Sequence, residues 1–197
     1  MRLPVPFLSA AILIPLVVPA VAAGPLDKLD RGPKVGERIP HDVTATDHTG
    51  ARRSFDSLRG ERGLILLFNR SLGWCPFCKR QAADWNARFR DFENLGYKVA
   101  ALTYDSVDTL ARFAERQNIG YTLLSDPDSE IIRAFDLLNE QHPPGSFAYG
   151  IPHPIIFVID PGGVIRHRFS EGRYSERPKI DAVLDAVRRG ARRSAEG

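Results

Sequence analysis

Apolar positions along this chain change period several times, and the changes mark out its elements. "GLILLFN" (63–69) is a nearly continuous apolar run, the pattern of a strand buried on both faces. After residue 75 the period becomes helical. Ala82, Trp85, Phe89 and Phe92 recur at steps of three and four as one apolar stripe, with Lys79, Arg80, Asp84, Arg88 and Asp91 off it. "YKVAALTYD" (97–105) is the next strand. "SVDTLARFAERQNI" predicts a helix with Leu110, Phe113 and Ala114 inward, and "YTLLSD" a short strand. "DPDSEIIRAFDLL" predicts a helix with Asp126 as N-cap and Pro127 in the first position, where its missing N–H costs little. Acids fill its first turn, as the macrodipole favours. "PIIFVIDPGGVIRHRF" predicts a hairpin around Pro161-Gly162-Gly163, and "RPKIDAVLDAVRRG" a closing amphipathic helix. Upstream, "DVTATDHTGARRSFDSL" predicts a β-hairpin turning near Thr49-Gly50.

The predicted order is therefore β-hairpin, β, α, β, α, β, α, β, β, α. Such alternation argues for an α/β fold: a central, mixed sheet flanked by helices, with an N-terminal β-hairpin.

The ends divide the chain further. Arg2 precedes an uncharged apolar stretch from Phe7 to Ala23, and Ala20-Val21-Ala22 fits a small-x-small cleavage site. The competing reading, an uncleaved anchor, meets a segment slightly short for a span and broken by Pro15 and Pro19. Residues 1–23 are expected to be a signal peptide, leaving a mature chain with no stable membrane insertion that works in the periplasm or beyond. Residues 24–34, rich in Gly, Pro and charge, read as a surface leader. Residues 35–190 form the domain, and 191–197 a basic tail. The net charge of +3 over 197 residues is too small to argue for a nucleic-acid partner.

Both cysteines lie in "LFNRSLGWCPFCKRQ", at 75 and 78. The map places Cys75 at the start of a helix, with Pro76 its first residue and Cys78 in its first turn. Unpaired N–H groups and the partial positive charge of the helix terminus favour a thiolate there, and Lys79 and Arg80 add charge. Two intervening residues in a helical turn let the sulfurs approach to bonding distance, so one cysteine can attack and the other resolve. A structural staple would close too small a loop to restrict the unfolded chain much. A zinc site needs two more ligands, and His41, His48, His142, His153 and His167 show no finger-like spacing. A c-type haem needs His after the second cysteine, where Lys79 stands.

"GWCPFCKRQ" after an apolar strand resembles the active site of the thioredoxin-fold redoxins, most closely their peroxiredoxin-like (AhpC/TSA-type) branch. "KVGERIPHDVTATDHTGARRSFDSLRG" is similar to that branch's N-terminal hairpin, "GIPHPIIFVIDPGGVIRHRF" to the hairpin facing the site, and "FSEGRY" with Arg177 to exported members. The resemblance implies a thioredoxin-like fold in which Pro154, immediately before the strand, is a cis proline shaping the substrate groove, with Pro152 the competing candidate for the cis bond. It also implies that His153 lies near the sulfurs and that Trp74, Pro76 and Phe77 flank them. Two departures stand out. The strand before the cysteines carries Asn69 and no acid, so the proton acceptor is water or Glu171. The Thr or Ser expected three residues before a peroxidatic cysteine is Leu72 for Cys75 and Cys75 for Cys78; Ser71 and Arg70 are the available substitutes.

These readings make the chain a thiol–disulfide oxidoreductase exchanging disulfides with protein thiols, with Cys75 as nucleophile and Cys78 as resolving thiol. No metal or organic cofactor is expected, and electrons come from another dithiol protein. The alternative is a thiol peroxidase reducing hydroperoxides at Cys75. The alternative from another class is a metal-binding chaperone using both thiolates and a histidine.

Overall fold

The computed structural model describes the backbone of residues 27–196 and the side chains of 27–190. The expected signal peptide lies outside the described residues, as do the side chains of the basic tail. Seven strands form one sheet: β1 (Ala45–Asp47), β2 (Arg52–Arg53), β3 (Gly63–Phe68), β4 (Tyr97–Thr103), β5 (Thr122–Ser125), β6 (Ile155–Ile159) and β7 (Ile165–Phe169). Their spatial order is β2-β1-β5-β4-β3-β6-β7. β3, β4 and β5 run parallel, whereas β6 is antiparallel to β3, β7 to β6 and β1 to β5. This is the mixed sheet of a thioredoxin-like fold.

Every residue of β3 is buried. Ile65 and Leu67 face one core with Val99, Ala101, Leu123, Ile156 and Val158. Leu64, Leu66 and Phe68 face the other with Ala100, Leu102, Leu124 and Phe157. The first face is covered by α2 (Pro76–Asn86), α3 (Phe89–Glu93), α4 (Val107–Gln117) and α6 (Ile180–Glu196), the second by α1 (Phe55–Leu58) and α5 (Glu130–Ala134). Gly63 opens β3 at φ +128°, where a Cβ would lie 1.9 Å from the Ile159 carbonyl oxygen, so only glycine lets β6 pair there.

Several expectations are revised. The predicted stripe of Ala82, Trp85, Phe89 and Phe92 is buried throughout, and the Trp85 and Phe92 rings stack at 4.9 Å. It spans two helices, however. The Asn86 side chain bonds Asn118 O and Gly120 N, pinning the end of α2, and Arg88 N closes a tight turn on Trp85 O before α3 begins. α1 was not expected as a helix, because only two residues of the second hairpin strand pair. Ser129, not Asp126, precedes α5. Asp126 serves that helix from farther back, its carboxylate accepting from Ile131 N and Ile132 N.

The segment read as a surface leader is anchored instead. Arg168, 3% exposed, pairs through Nε with Asp27 at 2.8 Å and donates to the carbonyls of Leu29, Arg31, Gly32 and Pro33. Ser170 Oγ accepts from Lys28 N and Leu29 N. Arg168→Met would leave four carbonyls without this donor and the Asp27 carboxylate without its cation, with only Ser170 Oγ still donating to it. A loss of about 3–5 kcal/mol is expected in urea unfolding. A loss below about 1 kcal/mol would show that the segment is held by other contacts.

Candidate active site

The first turn of α2 is built around the two sulfurs. Cys75 is the N-cap in extended backbone, and Pro76 occupies the first helical position. Cys78 N donates to Cys75 Sγ at 3.3 Å, so a sulfur performs the capping usually done by an oxygen. The thiols lie 2.6 Å apart and are 1% and 0% exposed. They can join without backbone movement. Sequence spacing placed this pair and its helix terminus correctly.

The loop before the helix is held by a carboxylate that the sequence did not single out. Asp105, just past β4, accepts from Ser71 Oγ at 2.7 Å, Leu72 N at 2.6 Å and Thr103 Oγ1 at 2.9 Å. Ser71 Oγ in turn accepts from Gly73 N and Trp74 N. One buried acid thereby fixes the path of residues 71–74 into the cysteine turn. Its signal was its place at the C-terminal end of a central parallel strand, where α/β folds gather their sites. Asp105→Ala orphans three donors, and a loss of about 3 kcal/mol in denaturant unfolding is expected, with slower alkylation of the thiols. Unchanged stability would mean that the loop holds itself.

The electrostatics of the pair are unequal. Cys78 shares a hydrogen bond with Cys75, receives one from the backbone N–H of Ser71, and has the Arg177 guanidinium beside it. Arg177 Nη2 is 3.4 Å from Cys78 Sγ. Against the opposing effect of burial, these lower the Cys78 pKa to about 6. The hydrogen bond to Cys78 and burial raise that of Cys75. Both directions favour Cys78 as the more acidic thiol, whereas the helix-terminus argument favours Cys75. Arg177 is held by Gln81 Oε1 at 2.9 Å and by the carbonyls of Tyr174 and Glu176.

Other expected site residues fall differently. Among the described residues every peptide bond is trans, including those preceding Pro152 and Pro154. Pro152 bridges Leu138 and His153 N donates to Leu137 O, and these contacts hold the approach to β6. The β3–β6 register pairs Phe68 with Ile155 and, continued one step, sets Pro154 opposite Asn69 at the cysteine end of the sheet. His153 is shifted down by burial, then by the charge of Arg31, and its other charged neighbours are Glu140, Asp136 and His142. This shift favours the neutral ring, whereas Arg177 brings a permanent cation to Cys78. Glu171 is engaged by Lys28 at 2.8 Å. Asn69 is fully buried, and among the described residues neither its Nδ2 nor its Oδ1 has a partner.

Trp74 donates through Nε1 to Tyr104 Oη at 2.9 Å, and its ring lies 5.0 Å from that of Phe147. Phe77, half-buried between the cysteines, meets Tyr174 at 5.9 Å, and Pro76 is exposed. Among the described residues no group of three His, Cys, Asp or Glu is placed to hold a metal.

A sequence profile described as the AhpC/TSA family matches residues 35–168. Peroxiredoxin Bcp of Escherichia coli K12 is 28% identical over 158 residues, 80% of this chain and 97% of that protein. A putative peroxiredoxin of Mycobacterium tuberculosis H37Rv is 30% identical over 130 residues, 66% of this chain and 80% of the relative. Among solved structures, the Xanthomonas campestris bacterioferritin comigratory protein, described for its alkyl peroxide reduction activity, superposes with TM-score 0.67. It is 25% identical and covers 81% of this chain and 99% of its own. Peroxidoxin BcpB of M. tuberculosis shares the fold, with TM-score 0.67 at 23% identity, over 79% of this chain and 97% of its own.

Proposed function

The chain belongs to the AhpC/TSA family of peroxiredoxin-like redoxins, and from that premise we propose that it is a thiol peroxidase whose attacking sulfur is Cys78. The observation that carries the assignment is the Arg177 guanidinium on Cys78 Sγ, with the Ser71 N–H as a second donor. A thiolate so held is ionised at neutral pH and is the nucleophilic form.

The steps balance as follows. The Cys78 thiolate attacks the distal oxygen of a hydroperoxide, the O–O bond breaks, and the alkoxide leaves as alcohol after taking a proton. Cys78 becomes a sulfenic acid and the hydroperoxide is reduced. Cys75 then attacks the Cys78 sulfur, its proton leaves with the hydroxide as water, and the disulfide closes across two sulfurs already in contact. Arg177 stabilises the thiolate before attack and faces the polar sulfur–oxygen bond afterwards. An external dithiol protein restores the thiols.

This reading reverses the order argued from the sequence, in which disulfide exchange came first. Exchange retains one favourable observation, a close CxxC pair at a helix start. The export-type N-terminus supports work outside the cytoplasm, and N-terminal sequencing of the cellular protein should begin near Ala23 or Gly24; retention of Met1 would exclude cleavage.

Stopped-flow tryptophan fluorescence separates the two chemistries, since Trp74 adjoins Cys75. Reduced protein mixed with hydrogen peroxide should oxidise faster than when mixed with an oxidised dithiol protein. Slow oxidation by peroxide with fast exchange would overturn the peroxidase reading.

A further inference from the structure

Two described arginines are buried, and they are treated differently. Arg168 has a carboxylate and four carbonyls. Arg70, 8% exposed and immediately before the loop that delivers Ser71 N–H to Cys78, has none. Its Nε is buried without a hydrogen-bond partner, and no carboxylate among the described residues pairs with it. Among the described residues it meets aromatic faces: its guanidinium carbon lies 4.5 Å from the Tyr174 ring centroid and 5.1 Å from that of Trp74. Burying a cation without an anion is costly, and ring faces offset only part of that cost.

The rings form an apolar surface beside this cation. Phe147 is 76% exposed against Trp74, and Tyr174 is 57% exposed against Phe77. Two of the three large exposed hydrophobic residues described in the molecule thus stand next to the one unpaired buried guanidinium, at the mouth of the cysteine turn. A planar fork over aromatic faces suits a carboxylate, whose two oxygens it can hold together, on an apolar body that covers the rings.

We propose that Arg70, with the rings of Trp74, Phe147 and Tyr174, is a subsite for the carboxylate of an apolar organic acid that reacts at the adjoining thiols. Binding of the acid stands on this geometry alone; only its role as a reactant rests on the peroxidase reading. Two sources share the chemistry: a hydroperoxide bearing an acid group, and a small acid-bearing thiol that reduces the disulfide.

The test begins with calorimetric titration of the full reduced protein with 4-phenylbutyrate and with its amide. The acid should bind at least about tenfold more tightly, as loss of a charge-assisted bidentate pair implies. Arg70→Met should abolish the difference, and Arg70→Lys should restore it in part. Tyr174→Ala, at an exposed position, should weaken both ligands together, and it keeps the test informative if Arg70 variants fail to fold. Two kinetic arms then identify the source. A lower KM for a hydroperoxy acid than for its methyl ester assigns the subsite to the substrate. Faster reduction of the oxidised protein by 3-mercaptopropionate than by its amide assigns it to the reductant. Equal binding of acid and amide, or no binding of either, overturns the proposal. Oxidation by hydrogen peroxide, which carries no carboxylate, reports separately on the peroxidase reading.

Discussion

Replacing Cys78 by serine is expected to lower hydroperoxide consumption by at least about a thousandfold, because the attacking atom is lost and no other group at the site replaces it. Cys75→Ser should behave differently. The serine hydroxyl can donate to a Cys78 thiolate across the same short gap, while Arg177 and the Ser71 N–H remain in place. The first oxidation should therefore proceed within about tenfold of the native rate, which corresponds to one pKa unit of lost stabilisation at most. Catalysis should then stop after one turnover, since nothing resolves the sulfenic acid. Rapid mixing of each variant with one equivalent of peroxide distinguishes the two. Were Cys78→Ser to react quickly while Cys75→Ser stayed inert, the roles would be exchanged.

Arg177→Met should move the pH profile of the site. A Cys78 pKa lowered to about 6 predicts a native reactivity nearly full at pH 8 and falling as pH drops through 6. Removing the guanidinium withdraws support from the thiolate form only, so the midpoint must rise toward the ordinary thiol value of about 8.5. The rate loss should be largest near pH 6, about tenfold for each unit of upward movement, and should shrink toward alkaline pH where both proteins are ionised. Iodoacetamide alkylation across pH measures this without any substrate. The same change should make the disulfide less oxidising, because stabilising the thiolate stabilises the reduced form. A midpoint unmoved in Arg177→Met would mean that the neighbouring thiol and the Ser71 N–H suffice.

Much of the architecture was legible because strand burial writes itself into composition. The unbroken apolar run of β3 and the hairpin around Pro161-Gly162-Gly163 could be read directly, and both appear with their expected pairing. What failed to show were contacts made across the fold. The break between α2 and α3 depends on Asn86 reaching the loop at 118–120, and Ala87 and Arg88 are themselves acceptable helix residues. Arg168 reads as an exposed strand residue until the leader folds over it. At the site, the spacing of Cys75 and Cys78 gave the pair, whereas the residue that polarises it lies 99 positions away. Local reasoning from the helix terminus chose Cys75. The Arg177 contact with Cys78 is tertiary, and no local pattern around the cysteines announces it. Pro154 and His153 were placed by resemblance; the β3–β6 register sets Pro154 opposite Asn69, the bond before it is trans, and burial lowers the His153 pKa.

The measurement to make is sulfenic acid trapping. Reduced Cys75→Ser is mixed with one equivalent of hydrogen peroxide in the presence of a dione that captures sulfenic acids, and the tryptic peptides are weighed by mass spectrometry. The expected result is a stoichiometric adduct on Cys78, with the native protein giving instead a Cys75–Cys78 disulfide and almost no adduct. Peroxide left unconsumed by Cys75→Ser, with an adduct forming readily on Cys75 in the Cys78→Ser protein, would contradict the assignment of Cys78 as the sulfur that reduces hydroperoxides.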